Sequence, residues 1–185
     1  ILSGLVGSEM CIRDRVRSSE GADRAEALIR LSYIAHSKND YEQSLALCES
    51  AKNIYESITP PTSNEVIAHV YTGMGYSLNE MQRNEEAIQA GRRAIDLLEE
   101  ISSPELIRAY RDEGRFSFDA KKYEESLVWY KKALNFVTPD EKEFNNAWDL
   151  FNIARCLIKL KQFHEAVETL KSARALFKVE KSLLH

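Results

Sequence analysis

The residues able to do chemistry are scattered along this chain. Cys11, Cys48 and Cys156 are far apart and form no C-x-x-C pair. The histidines, His36, His69, His164 and His185, are equally dispersed, so no cluster has metal-ligand spacing. Gly73-Met74-Gly75 comes nearest to a phosphate-binding loop. It falls inside a predicted helix, whereas such loops need a strand–turn–helix setting, so a packing role is favoured. No H-E-x-x-H, Walker loop or nucleophile elbow is present. The pairs Glu85-Glu86 and Glu124-Glu125 fall on outward helix faces and solvate them. The chain is therefore expected not to be an enzyme and to use no cofactor. One constellation remains. Arg108, Arg111 and Arg115 stand at i, i+3 and i+7, on one face of a predicted helix. Guanidinium forks suit carboxylates. Asp112, Glu113 and Asp119 lie close by, so the same arginines could instead form surface pairs of little energetic weight. Both readings stand.

Composition limits what can position such residues. The 185 residues are 44% hydrophobic and 29% charged, which suits a folded domain rather than a disordered chain. With only 7 Gly and 4 Pro, long helices are favoured over turn-rich sheets. No apolar run approaches the roughly 18–20 residues that span a bilayer. A net charge of −4 exerts no general pull on nucleic acid or anionic membranes. Unpaired cysteines fit a reducing, cytoplasmic setting.

The first fifteen residues differ in character from the rest. Leu5–Asp14 resembles the in-frame translation of a transposase-type sequencing adapter. The codons CTC GTG GGC TCG GAG ATG TGT ATA AGA GAC read Leu-Val-Gly-Ser-Glu-Met-Cys-Ile-Arg-Asp, which is that segment without a mismatch. Residues 1–15 are therefore expected to be a non-native, disordered leader.

Beyond the leader the chain repeats itself. Tyr41-Glu42-Gln43-Ser44-Leu45 returns as Asn84-Glu85-Glu86-Ala87-Ile88, Tyr123-Glu124-Glu125-Ser126-Leu127 and Phe163-His164-Glu165-Ala166-Val167. The small residues Ser44, Ala87, Ser126 and Ala166 are spaced by 43, 39 and 40 residues. Each has another small residue seven positions on: Ala51, Ala94, Ala133 and Ala173. Apolar spacing predicts a helix before each segment, over 22–38, 65–80, 104–119 and 139–160, and a second through it, over 41–57, 84–101, 123–137 and 163–177. Thr62 with Glu65, Ser103 with Pro104, and Thr138-Pro139 with Glu141 are the expected helix starts. Short joints make neighbouring helices antiparallel.

This pattern resembles the tetratricopeptide repeat family. Ser32, Gly75, Gly114 and Ala154 fill the small position where the two helices of a repeat cross. Ser44, Ala87, Ser126 and Ala166 match in size the alanine early in its second helix. The physical reason is that helices approach within about 8–10 Å only where the crossing side chains are small. Steps of 39–43 residues exceed the family's usual value of about 34. The resemblance implies an all-α, right-handed α-solenoid of about four antiparallel helix hairpins, truncated at both ends. The domain would cover 22–177, with repeats over 22–60, 62–102, 103–138 and 139–177. Residues 178–185 would open a further repeat. An apolar face should stand exposed on the last hairpin.

The resemblance also implies that first helices line a concave inner surface. It would carry Tyr33, then His69, Tyr76 and Asn79, then Arg108, Arg111 and Arg115, then Trp148, Phe151, Asn152 and Arg155. The implied function is a protein- or peptide-binding scaffold, whose partner could bear acidic groups or a C-terminal carboxylate. Nucleic acid and membrane are not expected as partners. The alternative is a sensory or regulatory region of a larger signalling or transcription-control protein. The Lys and Asn of the family's chaperone-binding clamp are replaced by Ile29, Tyr33 and Gly73 at comparable places, so that specificity is not expected.

Overall fold

The structure, a computed structural model, describes residues 2–58, 63–136 and 144–183, with side chains over 9–58, 63–136 and 146–177. Among the described residues there are nine α-helices and no strand: α1 (Leu2–Ser18), α2 (Gly21–Ser37), α3 (Tyr41–Ser57), α4 (Asn64–Glu80), α5 (Asn84–Glu100), α6 (Leu106–Asp119), α7 (Tyr123–Asn135), α8 (Phe144–Lys159) and α9 (Phe163–Leu183). They form two compact units, 1–103 and 104–185.

The hairpin turns are built one way four times. Asn39, Gln82, Lys121 and Lys161 adopt positive φ values of 62°, 60°, 63° and 62°. The residue after each donates its backbone N–H back across the turn: Asp40 to Ala35, Arg83 to Leu78, Lys122 to Ser117 and Gln162 to Leu157, at 2.9–3.0 Å. This six-residue closure caps the last carbonyls of the first helix and reverses the chain. A left-handed residue at each turn, where glycine is the usual occupant, costs about 1 kcal/mol. The turn repeats at the same steps as the small residues, so the backbone follows the sequence period.

In the first unit α2 pairs with α3 and α4 with α5, and α4 also packs on α3 and α2. Its core joins Ala25 and Leu28 of α2, Cys48, Ala51 and Tyr55 of α3 and Val70 of α4. Close approach explains the small residues. A Cβ on Gly73 would stand 3.1 Å from the Cys48 sulfur. The Ser77 hydroxyl donates to the Gly73 carbonyl (3.1 Å) and shares a hydrogen bond with the Ser44 hydroxyl (2.8 Å). In the second unit α6 pairs with α7, α8 with α9, and α7 packs on α8. Tyr130, Ile153, Cys156, Leu157 and Ala166 form its core. A Cβ on Gly114 would lie 3.0 Å from the Tyr130 ring, and the Ser126 hydroxyl donates to the Gly114 carbonyl at 2.7 Å. Burial raises the pKa of both Cys48 and Cys156 above the ordinary thiol value and that of Tyr130 well above the ordinary phenol value.

Two helix starts, those of α4 and α6, differ from expectation. Leu2–Ser18 forms α1, which packs on α2, and Val16 lies against the first core. The cap of α4 is Ser63, whose hydroxyl accepts from the Glu65 N–H at 3.3 Å; Thr62 lies outside the described residues. Helix α6 begins at Leu106, because Pro104 and Glu105 form a preceding turn in which the Pro104 carbonyl accepts from Ile107 at 3.5 Å. At the other end, α9 continues to Leu183. The Thr138-Pro139-Glu141 start lies outside the described residues.

Candidate functional site

In the first unit, the first helices α2 and α4 carry neutral aromatic and polar groups. Tyr33 is half exposed on α2. One turn later the His36 ring meets Tyr41 edge-on (5.2 Å between centroids) and Tyr76 of α4 (6.3 Å). His36 thus ties α2 to α3 and α4, a role its isolation in the sequence did not suggest. His69 and Tyr76 are half-buried on α4. Asn79, at the end of α4, is only 7% exposed.

In the second unit, the arginine stripe is divided among three roles. Arg111 reaches across from α6 to α8 and grips Asp149 with a bidentate fork: Nε to Oδ1 at 2.8 Å and Nη2 to Oδ2 at 2.7 Å. Asp149 is 1% exposed. The partner is therefore neither a ligand nor one of the nearby acids Asp112, Glu113 and Asp119, but a buried carboxylate 38 residues away. Arg115 forms the expected surface pair with Asp119, at 3.8 Å with both groups exposed. Arg108 is exposed on the same helix. Asp149 was missed by sequence reasoning. Its signal was a single acid among the apolar residues of a predicted helix, a position that demands a buried partner.

Trp148, Phe151, Asn152 and Arg155 share one face of α8. Trp148 and Phe151 are 47% and 37% exposed and meet edge-to-face at 5.7 Å. The Trp148 ring also touches Phe177 of α9. The Arg155 guanidinium lies 4.3 Å above the Phe118 ring of α6 and donates to the Asn152 side-chain oxygen at 3.0 Å. The last hairpin also exposes Ile158, Phe163 and Val167. Two clefts, of about 340 and about 60 Å³, lie instead beside α1 and α2.

No His, Cys, Asp or Glu cluster fit to hold a metal occurs among the described residues. Nor is any described helix long and apolar enough to cross a membrane.

Paired helices, small residues at every crossing and one recurring turn define an all-α helical-repeat fold. The tetratricopeptide repeat family model matches residues 105–178. Three solved structures share the fold. BtubC from P. vanneervenii superposes with a TM-score of 0.86 at 11% identity, over 96% of this chain and 75% of that one. The kinesin light chain TPR-like repeats of Podosopora anserina give a TM-score of 0.81 at 13% identity, covering 98% and 88%. Aspartyl phosphate phosphatase F from Bacillus subtilis gives 0.77 at 16% identity, covering 88% of this chain but 42% of that one. No curated protein matches the sequence. The tetratricopeptide repeat pattern is thus matched over 105–178, and the helical-repeat fold extends through the first unit.

Proposed function

We propose that this chain is a non-catalytic scaffold that binds a protein or peptide segment on the faces of its first helices. The observation that carries the reading is the α8 face, where Trp148 and Phe151 stand exposed beside Arg155. Exposed tryptophan, aromatic and arginine side chains held on a rigid helix are the residue types that anchor protein interfaces. Tyr33, His69 and Tyr76 supply a second set on α2 and α4. Helical-repeat folds use such surfaces for extended partners. Three unpaired cysteines fit a reducing compartment such as the cytoplasm.

A displayed library of random twelve-residue peptides, selected on the full chain, tests the proposal. Enriched peptides should lose affinity at least tenfold to Trp148→Ala and Phe151→Ala variants that melt like the parent. Selection of no peptide, or of peptides indifferent to both variants, would overturn it. The regulatory reading, in which the repeats govern a larger signalling protein, gains one observation: a structural neighbour is an aspartyl phosphate phosphatase that extends well beyond the matched part.

A further inference from the structure

We infer that Arg155, and not Arg111 or Arg115, is the group on the second unit that reads an anion in the bound segment. Phe118 acts as its positioning residue. This rests on the peptide-binding reading above and names the ligand chemistry.

Availability decides between the arginines. The Arg111 fork is filled by Asp149, with both carboxylate oxygens engaged. Drawing it toward a ligand would strand a carboxylate that is 1% exposed, so its charge is already spent inside the fold. Arg115 has Asp119 within 3.8 Å. Arg155 differs. Its contacts are the Phe118 face and the amide oxygen of Asn152, and no carboxylate pairs with it among the described residues. Its head is exposed. Stacking and the amide bond hold a planar cation in one orientation, and the edge not used by Asn152 can accept a carboxylate. Because the guanidinium is ordered before binding, little side-chain entropy is lost when the anion arrives.

The neighbours set the rest of the ligand. Trp148 lies seven residues before Arg155 on the same helix face, a rise of about 10 Å. In a polyproline-type chain, residues three apart share one edge and stand about 9 Å apart. The surface therefore suits an apolar side chain on the Trp148–Phe151 pair and a carboxylate three residues away on Arg155. The recognition pattern is apolar-x-x-acid in an extended segment.

Fluorescein-labelled Pro-Pro-Leu-Pro-Pro-Glu-Pro-Pro, its Glu-to-Gln counterpart and a version with Leu and Glu adjacent are the probes, titrated by polarisation against the full chain. The wild-type chain should prefer the first peptide over the Gln form by about tenfold or more, as a charge-assisted hydrogen bond implies. It should also prefer it over the adjacent form. Arg155→Gln should bind both the Glu and Gln peptides equally, with an unchanged melting temperature. Phe118→Leu should reduce the preference and Phe118→Tyr should restore it, which a merely structural role for the ring would not do. If Arg155→Gln keeps the preference while Trp148→Ala abolishes binding, the aromatic contact stands and the assignment of Arg155 falls. If none of the peptides binds at millimolar concentration, this assignment falls, while the library selection independently decides the wider reading.

Discussion

Replacing Arg111 by methionine keeps much of its length and removes its charge, so the Asp149 carboxylate loses all of its Arg111 hydrogen bonds, at 2.7–3.1 Å, while remaining 1% exposed. Removing one member of a buried pair costs about 3–5 kcal/mol, because the other charge stays desolvated. The Arg111 side chain is 24% exposed, so water can reach its end of the pair, and the lower half of that range is expected. Asp149→Leu, which strands the better solvated arginine, should cost less. The double variant Arg111→Met with Asp149→Leu buries no charge, and its loss should be smaller than that of Arg111→Met alone. Urea unfolding followed by circular dichroism measures all three, provided the slope of the transition is unchanged. A loss below about 1 kcal/mol for Arg111→Met, or a double variant whose loss equals the sum of the two single losses, would show that the fork carries no coupling.

Further expectations come from the turns, the crossings and the buried thiols. Gln82→Gly should stabilise the first unit by about 0.5–1 kcal/mol, since Gln82 sits at φ 60° where glycine is unstrained; a thermal melt that falls instead would count against the strain argument. Gly114→Ala should destabilise by about 1–2 kcal/mol despite the better helix former, because its Cβ would press on the Tyr130 ring at 3.0 Å. Pairing it with Tyr130→Leu should relieve the crowding, and no relief would place the cost elsewhere. At pH 8 a thiol reagent should label Cys11 quickly and Cys48 and Cys156 only on unfolding, given that both are buried. Because burial raises the pKa values of Cys48, Cys156 and Tyr130 in the fold, the unfolded chain releases those protons first, at the ordinary values of 9.0 for the thiols and 10.0 for the phenol. Stability should hold below pH 9 and decline above it, and a melting temperature flat to pH 11 would contradict the sign.

Much of this fold was legible because its physics is periodic. Small residues recur wherever two helices must cross closely, and Ser44, Ala87, Ser126 and Ala166 are buried to within 2% of complete exclusion. The turns were harder to read. Asn39, Gln82, Lys121 and Lys161 hold a left-handed conformation without being glycine, so their residue types carry little of the signal that their spacing does. The interior partner of Arg111 was illegible for a different reason. Local sequence offers three acids next to the stripe, whereas the fold brings a fourth from the next repeat to the same face. Trp148, Phe151 and Arg155 stand exposed on α8, whereas Asn79 is buried by packing at the end of α4, which no local sequence signal announces. Helical order in Leu2–Ser18 likewise followed from local backbone bonding and packing on α2, which the foreign look of the segment did not exclude.

The central claim is that the first-helix faces, and not the second helices, take up a partner. A photo-crosslinking amino acid at Phe151 of α8, 37% exposed, can be compared with the same group at Val128 of α7, 54% exposed. With a selected peptide bound, crosslinking should occur at position 151 and be absent at 128. Equal crosslinking at both, or crosslinking at 128 alone, would contradict the account.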